Sequence, residues 1–500
     1  MSQPSPTDAA LTGGTALARR RLGVWAIVFF VISAAAPLTV VASAAATDFR
    51  LAGIGGPGAM LASGIVLMLF AVGFTAMSRY VRNTGAFYVY GARGLGKPVG
   101  IGIVFVTIFS YAALCICFYG FVGFFGEMTF SSLFGIDLPW TVYALLAFLV
   151  VGILGYRKID VGAKVLAVLL TAEVAILLIL AVAVLIQGGP EPISFASFAP
   201  QNVFFAAGSG ALFVFGFGAY LGFESTAIYT EEAKNPTRSV PLATYIAIAF
   251  LGVFYAFTFW ILTVAFGVDG VLKLAAQDDF QDMVFNAGQQ YLGLWASITM
   301  RVLIVTSFFA CLLAFHNACS RYLFAIGRER LLPAWLARTQ VRTQAPHHAS
   351  LVISIVSLAA IVITLAAGVD PFLGFALPVY SVGVAGLVFA QAVAAIAVVG
   401  FFLRDRRGHS VWRVVVAPAL GGLGLIVGFV LIAMNFSLVS GVEGPVNIAL
   451  LAPTPVLFLI GIVIGFVLKA RNPRHYAELT SLVVEDDEDE SVPADPASSR

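Results

Sequence analysis

An all-α polytopic membrane protein of about 12 spans, built on an inverted repeat of five plus five helices, is the fold class this sequence predicts. Three observations carry it: composition, recurrent apolar runs, and two interrupted helices five spans apart. Of 500 residues, 60% are hydrophobic and 11% charged, against roughly 45 to 50% and 25% in soluble domains. Runs of about 20 apolar residues, each able to cross roughly 30 Å at 1.5 Å per residue, recur almost to the end of the chain.

Residues 1 to 20 are polar and rich in Ser and Thr, closing on Arg19, Arg20 and Arg21. The segment Leu22 to Ala46 is too long for a signal h-region and reads as a retained first helix. At its centre lies Ser33-Ala34-Ala35-Ala36-Pro37. Pro37 lacks a donor and its ring clashes with the preceding turn, so the helix is predicted to loosen there. A short Gly-rich loop over 47–56 follows, and Pro57 opens a second span to about Met77. Residues 78–100, carrying Arg79, Arg82, Arg93 and Lys97, predict an amphipathic helix in the cytoplasmic interface. Further spans fall near 99–126, 138–155, 161–187, 203–230, 241–267, 295–320, 348–367, 371–402, 413–435 and 446–469.

The expected organisation is a cytoplasmic tail (1–20), a first repeat (21–187), a second repeat (203–403), a final helix pair (413–469) and an acidic tail (470–500). The run Glu485 to Glu490 offers nothing apolar to bury and reads as solvated, disordered chain. The longest outer segment, 268–292, has Asp278, Asp279 and Asp282 among aromatics and is a candidate for a short surface helix. Cys115, Cys117, Cys311 and Cys319 sit inside apolar spans and read as buried small hydrophobes.

A net charge of +2 says little; its distribution says more. Arg19 to Arg21, Arg79, Arg93, Lys97, Lys164, Arg238, Arg328, Arg404 and Lys469 share the N-terminal side with most other cations, while Arg50, Lys273 and Arg301 fall on the other face or its edge. The positive-inside rule then places both termini in the cytoplasm of a multi-pass plasma-membrane protein.

The organising stretch is Phe204 to Pro241, FFAAGSGALFVFGFGAYLGFESTAIYTEEAKNPTRSVP. Gly216 and Gly218 interrupt an apolar helix, and Glu224 follows roughly two turns later among apolar residues. Backbone groups in the bilayer core need partners, so a loosened segment survives only where protein or a cavity covers it. An acidic side chain in a span costs roughly 2.5 to 3.5 kcal/mol on insertion scales and should face the bundle interior. The stretch reads either as a broken helix lining a site or as Gly-mediated packing with Glu224 as a hydrogen-bond anchor.

Two breaks five spans apart are what an inverted repeat demands, with substrate at the midplane between them. Freed N–H groups suit a carboxylate and freed carbonyls an ammonium. A zwitterionic amino acid presents both. The candidate substrate-binding residues are therefore Ser33, Ala34, Ala35, Ala36, Pro37, Phe215, Gly216, Phe217, Gly218 and Tyr220. For each aromatic among them, ordinary bundle packing is an equal alternative.

Glu173 lies mid-span with no cation nearby in sequence; a desolvated carboxyl of this kind suits proton coupling or a structural hydrogen bond. Glu224 is the second coupling candidate. Tyr111, Tyr119, His316 and Asn317 are secondary candidates, with helix–helix hydrogen bonds the favoured role for His316 and Asn317. Arg301 is expected to snorkel outward. Gly421-Gly422-Leu423-Gly424 follows no strand, which argues against nucleotide binding. No metal cluster, nucleophile elbow or phosphate loop stands out, so no cofactor, metal, nucleic-acid partner or enzymatic activity is expected.

Four stretches carry a family resemblance: SAAAPLTVV from Ser33, TGAFYVYGARGLGK from Thr84, GFESTAIYTEEAKNPTRSVP from Gly222 and HNACSRYLFAIGRERLLP from His316. In these the sequence resembles the amino acid-polyamine-organocation superfamily, in particular its amino acid permeases. The resemblance implies a leucine-transporter-like fold with two peripheral helices after the repeats. It implies substrate held against 33–37 and 215–218, and a secondary active transporter importing amino acids by alternating access, coupled to protons. Where some proton-coupled members have a Lys near a vacated sodium site, this chain has Glu173. An exchanger or a carrier of polyamines is the alternative within the family. A non-transporting sensor or a channel is the alternative outside it, but no output module or repeated polar pore ring supports either.

Overall fold

The computed structural model describes residues 23–80, 86–157, 163–224, 226, 233–339 and 346–479. The N-terminal tail with Arg19 to Arg21, the acidic tail and part of the TEEAKNP stretch lie outside them. Among the described residues, nine helices are long and apolar enough to cross a membrane, accompanied by two shorter apolar ones, Trp140–Leu154 and Ser209–Gly218. The class is all-α and polytopic, as the sequence predicts.

The first span is α1 (Val24–Ala35) and α2, which joins Pro37–Thr39 through a π turn at Val40–Ala44 to Ala45–Ala52. Most of the loop expected after it is therefore helix. The polar residues Thr47 and Asp48 are buried there, and Thr47 keeps helical geometry by donating its hydroxyl to Ser43 O at 2.6 Å. Then come α3 (Gly56–Met77), α4 (Ala86–Gly94), α5 (Lys97–Phe134), α6 (Trp140–Arg157) and α7 (Ala163–Gln187). The second half starts with α8 (Ser209–Gly218), shorter than the expected span because it begins after a π turn at Gln201–Phe205 and the left-handed Gly208. It continues through α9 (Pro236–Phe266), α10 (Val268–Ala275), α11 (Met283–Leu292), α12 (Leu294–Arg328), α13 (His347–Ala367) and α14 (Leu377–Arg404). Outside both halves lie α15 (Ala417–Met434), two short helices α16 (Phe436–Ser440) and α17 (Pro445–Leu451), the long α18 (Pro453–Arg471) and a terminal α19 (Pro473–Glu478).

Two sequence expectations need correcting. The helix within 78–100 does not lie amphipathically on the surface of the bundle: Phe87, Tyr88, Val89 and Tyr90 of α4 are nearly or fully buried, because α4 inserts between α5 and α14. Gly94 permits this, since a Cβ there would collide with the Ala397 backbone. Nor does Arg301 snorkel. It bonds Asp282 at 2.7 Å and lies 4.6 Å over the Phe285 ring, because the outer segment folds into α10 and α11 with buried apolar faces that cover it. On the same face Arg50 donates to the carbonyls of Ala275 and Gln277, at 3.0 and 2.8 Å.

Lipid tails are as apolar as Leu, so helices associate through close packing and hydrogen bonds, and small residues let backbones meet. Gly461 and Gly465 of α18 form such a face. A Cβ on Gly461 would sit 2.6 Å from Gly102 Cα of α5, and one on Gly465 would sit 2.6 Å from Pro98 Cα. Gly461→Val should destabilise the protein by about 1–3 kcal/mol through overpacking. The check is the thermal unfolding midpoint of the protein in detergent, and an unmoved midpoint would contradict this contact.

Candidate substrate site

At the first break Pro37 offers no N–H and disfavours helical geometry for the residue before it. Ala36 turns into the left-handed region, φ 44° and ψ 75°. Two groups freed by the turn are met from other helices. The N–H of Leu38 donates to Glu173 Oε2 of α7 at 3.2 Å, and the Tyr255 hydroxyl of α9 donates to Ala35 O at 3.1 Å. Ser307 of α12 lies beside the same carboxyl. Glu173, 4% exposed, thus ties the fifth span to the first at the bend.

The second break lies later than expected. Phe215, Gly216 and Phe217 are within α8, and the helix loosens only after Gly218. Ala219 to Gly222 then run as tight turns, with Tyr220 N donating to Phe217 O at 3.2 Å and Leu221 N to Gly218 O at 3.1 Å. Gly222, at φ +100°, takes a conformation open to glycine. Its N–H donates to Glu224 Oε2 at 3.1 Å, while Tyr111 of α5 donates to Glu224 Oε1 at 2.6 Å. The glycines place the break, but by permitting close approach rather than by unwinding where they sit. A Cβ on Gly216 would be 2.6 Å from Ser63 Oγ, and one on Gly218 would overlap the Tyr380 hydroxyl.

Between the two breaks lies a cavity of about 490 Å³ of empty space, mouth included. The first span contributes Ala35, Thr39, Val40, Ser43 and Ala44; α8 and its turn contribute Phe215, Gly218 and Leu221. Phe118 and Phe121 of α5, Phe308, Cys311 and Phe315 of α12, and Tyr380 of α14 complete the wall. Thr39 and Ser43 donate within their own span, to Ala36 O at 2.7 Å and Thr39 O at 2.6 Å, leaving hydroxyl lone pairs as acceptors.

The structure brings Ala35, Phe215 and Gly218 of the expected residues to this wall, with Ala36 and Pro37 forming the bend beside it. The side chains of Ser33 and Ala34 lie outside the described residues. Gly216, Phe217 and Tyr220 point elsewhere: Phe217 fills the space over Gly428, and Tyr220 donates to Met60 O at 2.7 Å. Tyr111 packs 5.7 Å from the Phe315 ring, behind the cavity. Tyr119 faces Phe148 of α6. His316 shares a 2.8 Å hydrogen bond with Ser350 of α13, the helix–helix role expected of it, whereas Asn317 is exposed. Sequence reasoning missed Thr39, Ser43, Tyr255 and the ring wall from α5, α12 and α14. In a chain with 43 Phe no local signal separates a lining ring from a packing one, and Tyr255 shares its span with Thr244, Tyr245, Thr258 and Thr263, so nothing local singles out its hydroxyl either.

Comparisons with known proteins agree with this architecture. The profile of the family described as amino acid permease matches residues 22–468. The chain belongs to that family, as its four motifs imply. Relatives include a branched-chain amino acid permease of Bacillus subtilis, 23% identical over 68% of this chain and 74% of that protein. A vacuolar cationic amino acid transporter of Arabidopsis thaliana is 28% identical over 31% of this chain, the match spanning only 24% of the plant protein's length. An uncharacterised transporter of Mycobacterium tuberculosis is 27% identical over 58% of this chain and 64% of its own. The fold is shared with a solved manganese transporter from Eremococcus coleocola, TM-score 0.57 at 13% identity, covering 91% of this chain and 98% of that one.

Removing the Tyr111 hydroxyl leaves one Glu224 oxygen without its buried donor. Tyr111→Phe should therefore cost about 1–3 kcal/mol of stability, read as a lowered unfolding midpoint in detergent; a wild-type midpoint would count against this bond.

Proposed function

We propose that the protein is a secondary active transporter, not an enzyme, that imports amino acids across the plasma membrane by alternating access, with both termini cytoplasmic. The observation that carries this reading is a cavity between two interrupted helices, lined by residues of both breaks. In this arrangement ligands meet bare peptide groups at the midplane and the two halves rock around them. The proposed binding residues at the wall are Ala35, Phe215 and Gly218 together with the rings of α5, α12 and α14; Ala36 and Pro37 form the bend, and Ser33 and Ala34 belong to the helix that leads into it.

Protons are the proposed driving ion, carried by Glu173. An ionised carboxylate is a strong acceptor for the Leu38 N–H, and a protonated one a weaker acceptor. Loading Glu173 with a proton loosens the tie between α7 and the first span beside the cavity. Glu224, held by Tyr111 and by the Gly222 N–H, has the corresponding place at the second break.

The test is uptake by the reconstituted protein under separately imposed proton and sodium gradients. Proton-driven accumulation is expected. Accumulation driven by sodium alone would defeat the coupling assignment, and entry that depends on preloaded amino acid would replace import with exchange. Glu173→Gln should retain substrate binding and exchange while proton-driven accumulation falls by about tenfold or more, the scale of one lost charge-assisted hydrogen bond. Unchanged accumulation would reduce Glu173 to a structural tie.

A further inference from the structure

The cavity wall has an order that the transport reading does not use. Three pairs of rings are stacked: Phe118 on Phe315 at 5.1 Å and 22°, Phe121 on Phe308 at 5.2 Å and 22°, and Phe215 on Tyr380 at 5.7 Å and 24°. Each pair bridges two helices, α5 to α12 twice and α8 to α14 once. Phe125 stacks on the same Phe308 at 4.9 Å, so the wall is braced from behind. Rings fixed this way meet a ligand with little further loss of side-chain freedom.

Charge is as ordered as shape. None of the residues lining the cavity carries a formal charge. The two carboxyl groups at the breaks are engaged by backbone N–H groups and a tyrosine: Glu173 by Leu38, Glu224 by Gly222 and Tyr111. An ammonium or guanidinium side chain entering this space would lose its water without gaining a carboxylate in the wall, the buried Asp48 lying one turn past Ala44 and outside the lining. Cation–π attraction offsets little of that loss, because it acts at ring faces and stacking already gives one face of each ring to its partner. An apolar side chain incurs no such loss and gains contact with the rings.

We infer that the carried amino acid has a neutral, apolar side chain of aromatic or large aliphatic size, and that these stacked pairs select it. The inference rests on the transporter reading above and narrows it to one substrate class. It also separates this chain from the plant relatives named for cationic amino acids.

The test uses the full-length protein in liposomes with labelled L-phenylalanine, L-leucine, L-lysine and L-arginine. Phenylalanine and leucine should enter about tenfold or more faster than either basic amino acid, a difference of about 1.4 kcal/mol, and each should compete with the other where lysine does not. Phe308→Leu keeps the wall apolar while removing the ring that joins Phe121 and Phe125. It should lower the phenylalanine-to-leucine uptake ratio several-fold, and because the ratio is taken within one preparation, losses in folding cancel. Lysine or arginine uptake equal to that of phenylalanine, or a ratio unmoved by Phe308→Leu, would overturn the substrate assignment and leave transport intact. If no amino acid enters and none binds in detergent, the transporter reading falls and takes this inference with it.

Discussion

In the hydrocarbon core no water satisfies a backbone group that leaves a helix, so every interruption must be completed by another part of the protein. That constraint governs this structure. Ala36 breaks the first span, and the freed Leu38 N–H and Ala35 carbonyl are met by Glu173 and Tyr255, from α7 and α9. The turns after Gly218 are completed partly by their own i to i+3 bonds and partly by Glu224, which Tyr111 holds from α5. Each break therefore recruits a carboxyl group and a tyrosine. Polar side chains that cost free energy in an apolar span sit where their absence would cost more.

The rest of the bundle is assembled by close approach. Gly461 and Gly465 admit α18 to α5, Gly94 admits α4 to α14, and Gly218 admits Tyr380 to α8. Such contacts need no charge and leave the few charged groups for the breaks and the ends. Cations at this end of the bundle are tied down accordingly, Arg301 by Asp282 and Arg50 by two carbonyls, where α10 and α11 pack over the second part of the first span.

Much of this was legible in the sequence because lipid imposes blunt rules. Composition and run length gave the class, Pro37 marked the end of the 33–37 window where the first span turns, and Glu173 stood out as a lone acid in an apolar run. The second break was misplaced by a few residues because glycine permits two things, loosening and close packing, and Gly216 and Gly218 serve the second. The burial of residues 87–90 was not legible because cations and aromatics alternate in 78–100 as they do on a surface helix, while insertion between α5 and α14 is a tertiary fact. The ring wall was invisible for a similar reason: its members come from four helices far apart in the chain, and nothing local distinguishes Phe308 from any other phenylalanine. Asp48, one oxygen of which is buried without a hydrogen-bond partner among the described residues, was passed over because the sequence placed it in a loop.

One detail of the first break bears on motion. Pro37 has no N–H to give, and Leu38 gives its own to a side chain of α7, so two consecutive rungs of the helical ladder are absent where α1 meets α2. The span is then two rods on a single-residue pivot. Tyr255 latches the rod before Ala36, and α10 and α11 pack over the rod after it. The two rods are thus held by different neighbours, with one residue between them.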